Sequence, residues 1–301
     1  MSTNTTIKSS LTSAAGKYLV PAPLANTIWE NIQNKSAIIP FLNKMPMSSA
    51  TLKLNAVDED LVMSWVDGEG GDKTVSNETY TQVTLTAYEL AVIVTITDIL
   101  IEDANIGMDA HIRGEIEDAV VTALEQSYLG YYDASPFAQT ISGDCPDAHT
   151  IAYGAGDDLL VDISNALGAI EEDGFEEDIA WAANPTLKSR MRNLRDDDNQ
   201  PIFQPATGKE PAALYSYPIR FSRNMMSTGS PAARELIVGD WHYAFEGIRG
   251  GLRYDITDKA TITIGGKPVN LWEHNMKAIK MWIRRAFLIR DVNAFAKVTG
   301  L

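Results

Sequence analysis

An apolar repeat with helical spacing constrains the fold of this chain more than any other feature. Between Asp109 and Gly130 the repeat follows one face of a helix, at i, i+4, i+7, i+8, i+11 and i+12: Ile112, Ile116, Ala119, Val120, Ala123 and Leu124. Asp109 is a suitable N-cap, and Gly130 is a suitable end. At about 1.5 Å per residue the helix would span roughly 33 Å. The sequence therefore predicts one long amphipathic helix over residues 109–129.

Strand patterns lie on both sides of this helix. Leu52, Leu54 and Ala56 alternate with polar residues, which is the period of a half-buried strand. A second, longer strand is predicted over residues 83–96. Later apolar segments predict further strands: 179–183, 214–221, 235–239, 252–256, 279–284, 286–289 and 294–298.

Three shorter helices are predicted at residues 23–33, 159–170 and 184–194. In the last of these, Asn184 is the expected N-cap and Pro185 stands in the first turn. No internal repeat is found, and strands and helices do not alternate regularly. The fold class is therefore predicted to be α+β, with mostly antiparallel strands.

Two segments are poorly suited to a core of their own. The first 20 or so residues are rich in Ser, Thr and Asn, and they are predicted to form an extended arm. A frayed terminus would have the same composition. Residues 57–80 are acidic and Gly-rich, and they are predicted to form a long projecting hairpin. Arms and hairpins of this kind reach neighbouring molecules.

Composition narrows the classes of function. The net charge is −15 over 301 residues, whereas a protein that grips phosphates would concentrate Lys and Arg. Cys145 is the one cysteine, which excludes an intrachain disulfide and a cysteine zinc site. The N-terminus lacks the apolar stretch of a secretory signal, and the longest apolar segment, 90–100, is too short to span a bilayer. We therefore expect a soluble protein of a reducing cytoplasm, with no membrane partner.

The residue types that carry catalysis show no catalytic spacing. The four histidines have no metal-binding arrangement: His111, His149, His242 and His274. The glycine pairs are predicted to be turns rather than phosphate loops: 250–251 and 265–266. The chain is therefore predicted not to be an enzyme and to bind no cofactor and no metal.

Alternatives with chemistry stay open at this point. The acidic runs could bind calcium, although solvated faces are the favoured interpretation: 171–173, 176–178 and 196–198. Cys145 could be a catalytic thiol, although no catalytic signature surrounds it. A hydrolase that uses acidic clusters and a histidine is the alternative from a different class, and it would be a monomer or a small oligomer.

The order of motifs from Gly16 onward resembles the major capsid proteins of tailed bacteriophages with the HK97 fold. The resemblance rests on these segments, in chain order: GKYLVPAPLANTIWENIQNKSAI, SWVDGEGGDKT, ELAVIVTITDILIEDAN, IAWAANPTLKSRMRNLRDDDNQPIF, LYSYPIRFS, ELIVGDWHYAFEGIRGGLRYDIT and WEHNMKAIKMWIRRAFLIRDVNAFAKVTG. Each motif is loose by itself, but all of them occur in the family's order.

The resemblance implies an L-shaped subunit with named parts. Residues 1–31 would be an N-terminal arm and short helix, and residues 57–79 would be the extended loop. An axial domain would cover residues 153–264. The peripheral domain would carry the spine helix, 109–129, and would be built from three segments: 32–56, 80–152 and 265–301.

The resemblance also implies a function and its partners. Hexamers and pentamers of the chain would form an icosahedral head around double-stranded DNA, assembled in the host cytoplasm and located in the virion. Partners would be copies of itself, a portal, a separate scaffolding protein and a possible decoration protein, with DNA contacted without sequence specificity. The arm and extended loop would supply the contacts between subunits: Tyr18, Leu19, Val20, Trp65, Asp67, Glu69 and Lys73. An encapsulin-like nanocompartment shell is the alternative.

Two departures from the family pattern are visible. Some members cross-link a loop lysine to an asparagine with the help of a glutamate, and Lys73 and Asn275 match the two partners by position. No glutamate follows Asn275 in this chain, so we expect no cross-link. Only about 20 residues precede the match, which implies a separate scaffolding protein or the earlier removal of such a region.

Overall fold

Two β-sheets and one long helix organise the chain. The computed structural model describes these residues: 18–19, 22–59, 79–103, 108–132, 135–155, 158–195, 200–206, 212–225 and 234–301. The helices are α1 (Ala22–Lys35), α2 (Asp98–Asp103), α3 (Met108–Leu129), α4 (Leu159–Glu172) and α5 (Lys188–Arg192). The strands are β1 (Tyr18–Leu19), β2 (Asn43–Pro46), β3 (Thr51–Glu59), β4 (Thr79–Thr86), β5 (Tyr88–Thr97), β6 (Thr150–Ala152), β7 (Ile179–Ala183), β8 (Phe203–Gln204), β9 (Ala213–Leu214), β10 (Tyr217–Phe221), β11 (Leu236–Asp240), β12 (Ala244–Ile248), β13 (Arg253–Thr257), β14 (Thr261–Ile264), β15 (Lys267–Asn270), β16 (Met276–Ile289) and β17 (Phe295–Thr299).

The long helix α3 agrees with the predicted range within one residue. It ends at Gly130, whose φ of 91° is unfavourable for other residues, and a Cβ there would lie 2.6 Å from Thr140 Oγ1. Four members of the predicted apolar stripe are buried in the main core: Ile112, Ile116, Val120 and Leu124. Ala119 is exposed and Ala123 is half-buried, so the stripe is wider than the face that the rest of the chain covers.

The first sheet has six strands and is built on β16, which has 14 residues. Because residues 278–282 pair with both β5 and β13, these two strands lie on opposite sides of β16. β12 pairs with the far end of β16, β2 lies parallel to β12, and β1 pairs with β13. Ile279, Met281 and Ile283 are buried, whereas Lys280 and Arg284 are exposed, which confirms the predicted alternation.

The second half of β16 was predicted as a separate apolar segment, but the strand is continuous. Residues 285–289 are all buried because both faces of the strand are covered there. Ala286 and Leu288 pack against Met47 and Leu85, and we call these four residues the hairpin-base cluster. The opposite face, with Phe287, belongs to the main core.

The second sheet has seven strands in the order β6-β17-β11-β7-β10-β9-β8. Its central strand β7 is buried along its whole length, and this strand is the predicted one at residues 179–183. The predicted strand 214–221 is a tight hairpin instead. Tyr215 and Ser216 have φ values of 51° and 68°, so they form a turn between β9 and β10.

The predicted strand 83–96 is also two strands, which meet at Ala87. The backbone amide of Ala87 donates to the carbonyl of Ala50 at 2.8 Å, and the chain then leaves β3 to pair with β16. The break has a sequence signal, because the apolar positions change from odd to even numbers across it.

The predicted helices are present with small shifts. α1 and α4 each extend two residues further than expected at their C-terminal ends. Asn184 caps as predicted, with its Oδ1 accepting from the Thr186 amide at 3.0 Å. A 3₁₀ turn at Pro185–Leu187 precedes α5, which ends at Arg192 rather than at residue 194.

The sheets do not divide the chain at the predicted domain boundary between residues 264 and 265. β12 and β13 lie in the same sheet as β16, although they fall inside the predicted axial range 153–264. β6 and β17 lie in the seven-stranded sheet, although they fall inside the predicted peripheral ranges. The two-domain division therefore stays a prediction.

Gly247 of β12 lies directly against the hairpin-base cluster. A Cβ there would lie 2.6 Å from Met47 Sδ, 2.8 Å from Ala286 Cβ and 2.9 Å from Leu85 Cδ2. We expect Gly247→Ala to lower the free energy of unfolding of the unassembled subunit by about 1–3 kcal/mol, because the added atom overpacks the cluster. The measurement is chemical unfolding followed by tryptophan fluorescence.

Gly251→Ala is the control for this change. A Cβ at Gly251 would have no atom within 4 Å, so its effect should stay within about 0.5 kcal/mol. Equal effects of the two substitutions would show that packing at Gly247 is not tight.

Candidate assembly surfaces

The β3–β4 hairpin is supported at its base by the hairpin-base cluster, against which Leu52, Leu54 and Val83 also pack. Among its described side chains, 51–54 and 82–86, Leu85 is the one that is buried, in the hairpin-base cluster. The ladder runs from Thr51↔Thr86 to Glu59↔Thr79, with an irregularity at Val57/Glu59. A two-stranded ribbon is marginally stable by itself in water. The hairpin therefore leaves the body of the subunit as a ribbon that further contacts would stabilise.

Four of the predicted contact residues lie outside the described residues, in the segment 60–78 of the sequence: Trp65, Asp67, Glu69 and Lys73. Asn275, the position matched to a cross-link partner, lies in the turn before β16. It has a φ of 50°, and its carbonyl accepts from the Asp98 amide at 2.9 Å. The absence of a cross-link stays a prediction.

The described part of the arm, strand β1, pairs with strand β13 of its own chain. Tyr18 pairs with Ile256 and Leu19 with Asp255, so β1 forms the edge of the six-stranded sheet beside β13. Val20 lies outside the described residues. The backbone of Tyr18 and Leu19 is thus used within the subunit, and a contact with a neighbour at these residues stays a prediction for their side chains.

Exposed large apolar side chains mark other parts of the surface. Trp272 is 70% exposed in the loop between β15 and β16, and Ile99 is 68% exposed on α2. Ile93 is 50% exposed on β5. Residues of this size are often buried at protein interfaces when they cluster on a surface.

A buried carboxylate of α3 fixes the elements beneath these surfaces. Glu125 accepts hydrogen bonds from Ser36 Oγ and the Ala37 amide, both at 2.7 Å. It also accepts from Asn224 Nδ2 at 2.7 Å and from the Ser222 hydroxyl. One carboxylate therefore joins α3 to the segment after α1 and to the segment after β10. Acidic residues beside an apolar helix stripe were the available sequence signal, but their partners are about 90 residues away.

A second buried carboxylate forms an ion pair under α1. Glu246 Oε1 lies 3.1 Å from Arg285 Nε and accepts from Tyr128 Oη at 3.1 Å. The Arg285 guanidinium lies 4.1 Å from the ring centre of Trp29. Burial raises the pKa of Glu246 and lowers the pKa of Arg285, so desolvation opposes both charges, while each charge favours the other. Nothing local in the sequence indicates this pair, because its two members lie on different strands.

A third carboxylate ties the end of α3 to the seven-stranded sheet. Tyr131 Oη donates to Glu235 Oε2 at 2.6 Å, and the Ser142 hydroxyl donates to the same oxygen. Lys297 Nζ donates to the Ser142 carbonyl at 2.6 Å. Burial raises the pKa of Tyr131, so its hydroxyl keeps its proton and remains a donor.

Most of the candidate chemical groups lie within the described residues. Cys145 is half-buried, and burial raises the pKa of its thiol, which disfavours the nucleophilic thiolate. His111, His149 and His242 each lie within 4 Å of a single carboxylate: Glu115, Asp173 and Glu177 respectively. Within the described residues, no three potential ligands cluster as a metal site would require. The acidic run 196–198 lies outside those residues.

Among the described residues, no helix is both long enough and apolar enough to cross a bilayer. The long helix α3 carries two of the buried carboxylates, Glu117 and Glu125. Its buried face is therefore a protein core with internal polar bonds.

Comparison with known proteins decides the family. The phage capsid family matches residues 16–300. This chain belongs to the phage capsid family. It is 25% identical over 298 residues to the probable major capsid protein gp17 of Mycobacterium phage D29, covering 94% of this chain and 90% of that protein. It is 24% identical over 275 residues to the major capsid protein of Staphylococcus phage 80alpha, covering 90% and 82%.

Solved structures agree with this membership. A chain from Microbacterium phage Oxtober96 matches with a TM-score of 0.72 and 26% identity, over 87% of this chain and 90% of that one. The capsid of a native GTA particle matches in fold, with a TM-score of 0.63, 15% identity and coverage of 87% and 89%. The α+β fold of this capsid protein is the HK97-type fold, and the protein is a subunit of a shell.

The Glu246–Arg285 pair allows a test of how this capsid protein is held together. We expect Arg285→Leu to lower the free energy of unfolding by about 3–5 kcal/mol, because it leaves Glu246 buried without a countercharge. The double variant Glu246→Leu with Arg285→Leu should recover most of that loss, since no buried charge remains. Chemical unfolding of the unassembled subunits measures both values. A double variant that is less stable than Arg285→Leu alone would contradict this account.

Proposed function

We propose that this protein is the major subunit of a phage head, and that its hexamers and pentamers close an icosahedral shell around double-stranded DNA. The observation that carries the proposal is the family match over residues 16–300, which extends along nearly the whole chain. The β3–β4 hairpin, which leaves the body of the subunit, is a structural feature that supports the proposal. A structural role in the shell, without catalysis, agrees with the family match and with the hairpin.

The physical requirement for such a shell is one chain that fits rings of two sizes. In a ring, each subunit contacts the next one through one patch and the previous one through a different patch. The contact between these two patches need not be identical in five- and six-membered rings. A hairpin held only at its base and an N-terminal arm can follow a neighbour through a small change of angle. Several weak contacts to different neighbours then act together, because each one raises the effective concentration of the next.

Further partners follow from the same proposal. The charge of −15 suits a shell that encloses DNA without holding it tightly, and no sequence-specific contact is expected. A portal, a separate scaffolding protein and a possible decoration protein are the proposed protein partners. Assembly would take place in the host cytoplasm. None of the named relatives supports the encapsulin-like alternative, because they come from phages and a GTA particle.

We also propose a division of the subunit that respects its sheets. The peripheral part would contain α3 and the six-stranded sheet, including β12 and β13. The axial part would contain α4 and the seven-stranded sheet, including β6 and β17. The chain would then cross between the parts several times, with Glu125 and Glu235 bonded across the junction.

The extended loop is tested by Trp65→Ala. A tryptophan at a protein interface contributes about 2 kcal/mol or more when it is a central contact, and every subunit would lose one such contact. We expect the yield of closed particles to fall at least tenfold, while the far-ultraviolet circular dichroism of the subunit is unchanged. Sedimentation and negative-stain microscopy measure the yield. Normal particle formation would remove Trp65 from the contacts.

The arm is tested by deleting residues 1–17, which leaves β1 in place. We expect the subunit to keep its unfolding midpoint, because the described core lacks these residues, and to form fewer or less stable particles. Thermal dissociation of the particles, followed by light scattering, is the measurement. An unchanged dissociation temperature would show that the arm makes no contact between subunits.

A further inference from the structure

Strand β5 is a long edge of the six-stranded sheet. It has ten residues, and among the described residues it pairs only with β16. The other edge strands of the two large sheets, β1, β2, β6 and β8, have two, four, three and two residues. Short edge strands protect a sheet from pairing with other chains, whereas a long one presents a row of free N–H and C=O groups. β5 therefore differs from the other edges in offering an extended template for a further strand.

The pairing on the other side of β16 shows which residues of β5 face the free edge. The Arg249 amide donates to the Arg284 carbonyl at 3.3 Å in the register of β12, so even-numbered residues of β16 bond toward β12. The odd-numbered residues of β16 bond toward β5, where they lie opposite even-numbered residues. The Asp98 amide continues this alternation by donating to the Asn275 carbonyl at 2.9 Å. The backbone groups that face the free edge therefore belong to the odd-numbered residues of β5: Glu89, Ala91, Ile93, Thr95 and Thr97.

Both faces of the sheet are partly uncovered beside this edge. On the face away from α3, Ile93 is 50% exposed. On the face toward α3, Leu90 and Val92 are half-buried, and with Ala119 and Ala123 they line an apolar recess of about 180 Å³. A further strand along β5 would therefore bury apolar side chains on each face.

We propose that the free edge of β5 pairs with β5 of a second copy, antiparallel and around a two-fold axis, and that this contact joins neighbouring rings of the shell. The inference rests on the proposed shell function and names a contact that links one ring to the next. A register centred on Ile93 uses all the edge-facing residues of both copies. In it, Ile93 lies opposite Ile93 of the second copy, Ala91 opposite Thr95, and Glu89 opposite Thr97.

The side chains of β5 are self-complementary in this register. Two Ile93 side chains meet at the axis, and on the face toward α3 Val92 lies opposite Val94 of the second copy. No like charges face each other, because Glu89 lies opposite Thr97. Glu89 is also paired within its own chain, since its Oε2 lies 3.0 Å from Arg284 Nε. A second copy of β5 therefore supplies the alternation that this edge requires.

The symmetry of this pairing agrees with the symmetry of a shell. The two-fold axis between two antiparallel strands of one sheet is perpendicular to that sheet, so α3 of both copies would lie on the same side. A closed shell has the same requirement, because every subunit presents the same face to the interior. Rings are built from heterologous contacts, whereas an icosahedral shell also has two-fold axes between rings, where contacts are isologous. Pairing along one edge is a small contact that becomes effective when rings present several such edges together.

The first experiment places a charge on the proposed axis in the full-length chain. Ile93→Lys and Ile93→Glu each put like charges face to face at every β5–β5 contact, whereas the contacts within rings are unchanged. The control variants, Thr263→Lys and Thr263→Glu, make the same charge changes at an exposed residue of β14. Sedimentation separates rings from closed particles, and negative-stain microscopy counts them.

We expect each Ile93 variant to form rings but to lose at least tenfold in closed particles. The Thr263 variants should assemble within twofold of the unchanged chain. An equal mixture of the two Ile93 variants, made before assembly, should yield at least five times as many particles as either variant alone. This gain arises because a lysine then faces a glutamate across many of the axes, and a contact with a different molecule would not produce it.

The second experiment removes a hydrogen bond from the free edge without disturbing the sheet. The N–H of Ala91 faces the edge, so Ala91→Pro should keep the unfolding midpoint of the subunit within about 3 °C. The N–H of Val92 faces β16, so Val92→Pro should lower the midpoint by more than about 5 °C. We expect Ala91→Pro to lose at least tenfold in closed particles although its subunit is stable.

A disulfide traps the contact directly. Residues of a hydrogen-bonded antiparallel pair have Cα atoms about 5.5 Å apart, a distance that a disulfide spans. In oxidised particles of Ile93→Cys, we expect most chains to run as dimers on a non-reducing gel. Particles of Thr263→Cys, which also contain Cys145, should give monomers.

The remaining outcomes count against the proposal. Normal particle yields from both Ile93 variants or from Ala91→Pro would overturn the inference and leave the shell function intact. A loss that the mixture does not restore, or closed Ile93→Cys particles without dimers, would assign the edge of β5 to a different partner. If the unchanged chain forms neither rings nor particles, the proposed function fails, and this inference fails with it.

Discussion

The buried face of α3 is the constraint on which the rest of the subunit depends. Its apolar stripe packs into one core that reaches both sheets, so the two sheets share a single support. Glu125 fixes the position of α3 in this packing, because its hydrogen bonds require Ser36 and Ser222 to approach it from different segments. Apolar contacts alone would tolerate sliding of the helix along the sheets, whereas a carboxylate with several donors has one satisfactory position.

The periodicity of apolar residues was sufficient to predict α3 itself and a buried strand of the same core. The helix at 109–129 and the buried strand at 179–183 are confirmed within a residue or two, since one face or all faces are apolar there. Pairing partners were not predictable in the same way. Nothing local in residues 244–257 and 295–299 indicates that they lie in different sheets, because strand order depends on contacts between distant segments.

The functional surfaces were predictable only in outline. The acidic composition of residues 57–79 indicated a segment that needs partners, and the family resemblance implies the role that we propose for it. The buried carboxylates were missed, because Glu125, Glu246 and Glu235 differ from surface acids only through side chains far away in sequence.

Arg285 and Ala286, consecutive residues of β16, face in opposite directions. Arg285 lies against Trp29 of α1, the helix that follows the arm, while Ala286 packs in the cluster at the base of the extended hairpin. A displacement of α1 and a displacement of the hairpin base therefore both act on adjacent residues of one strand, so β16 couples these two segments within the subunit.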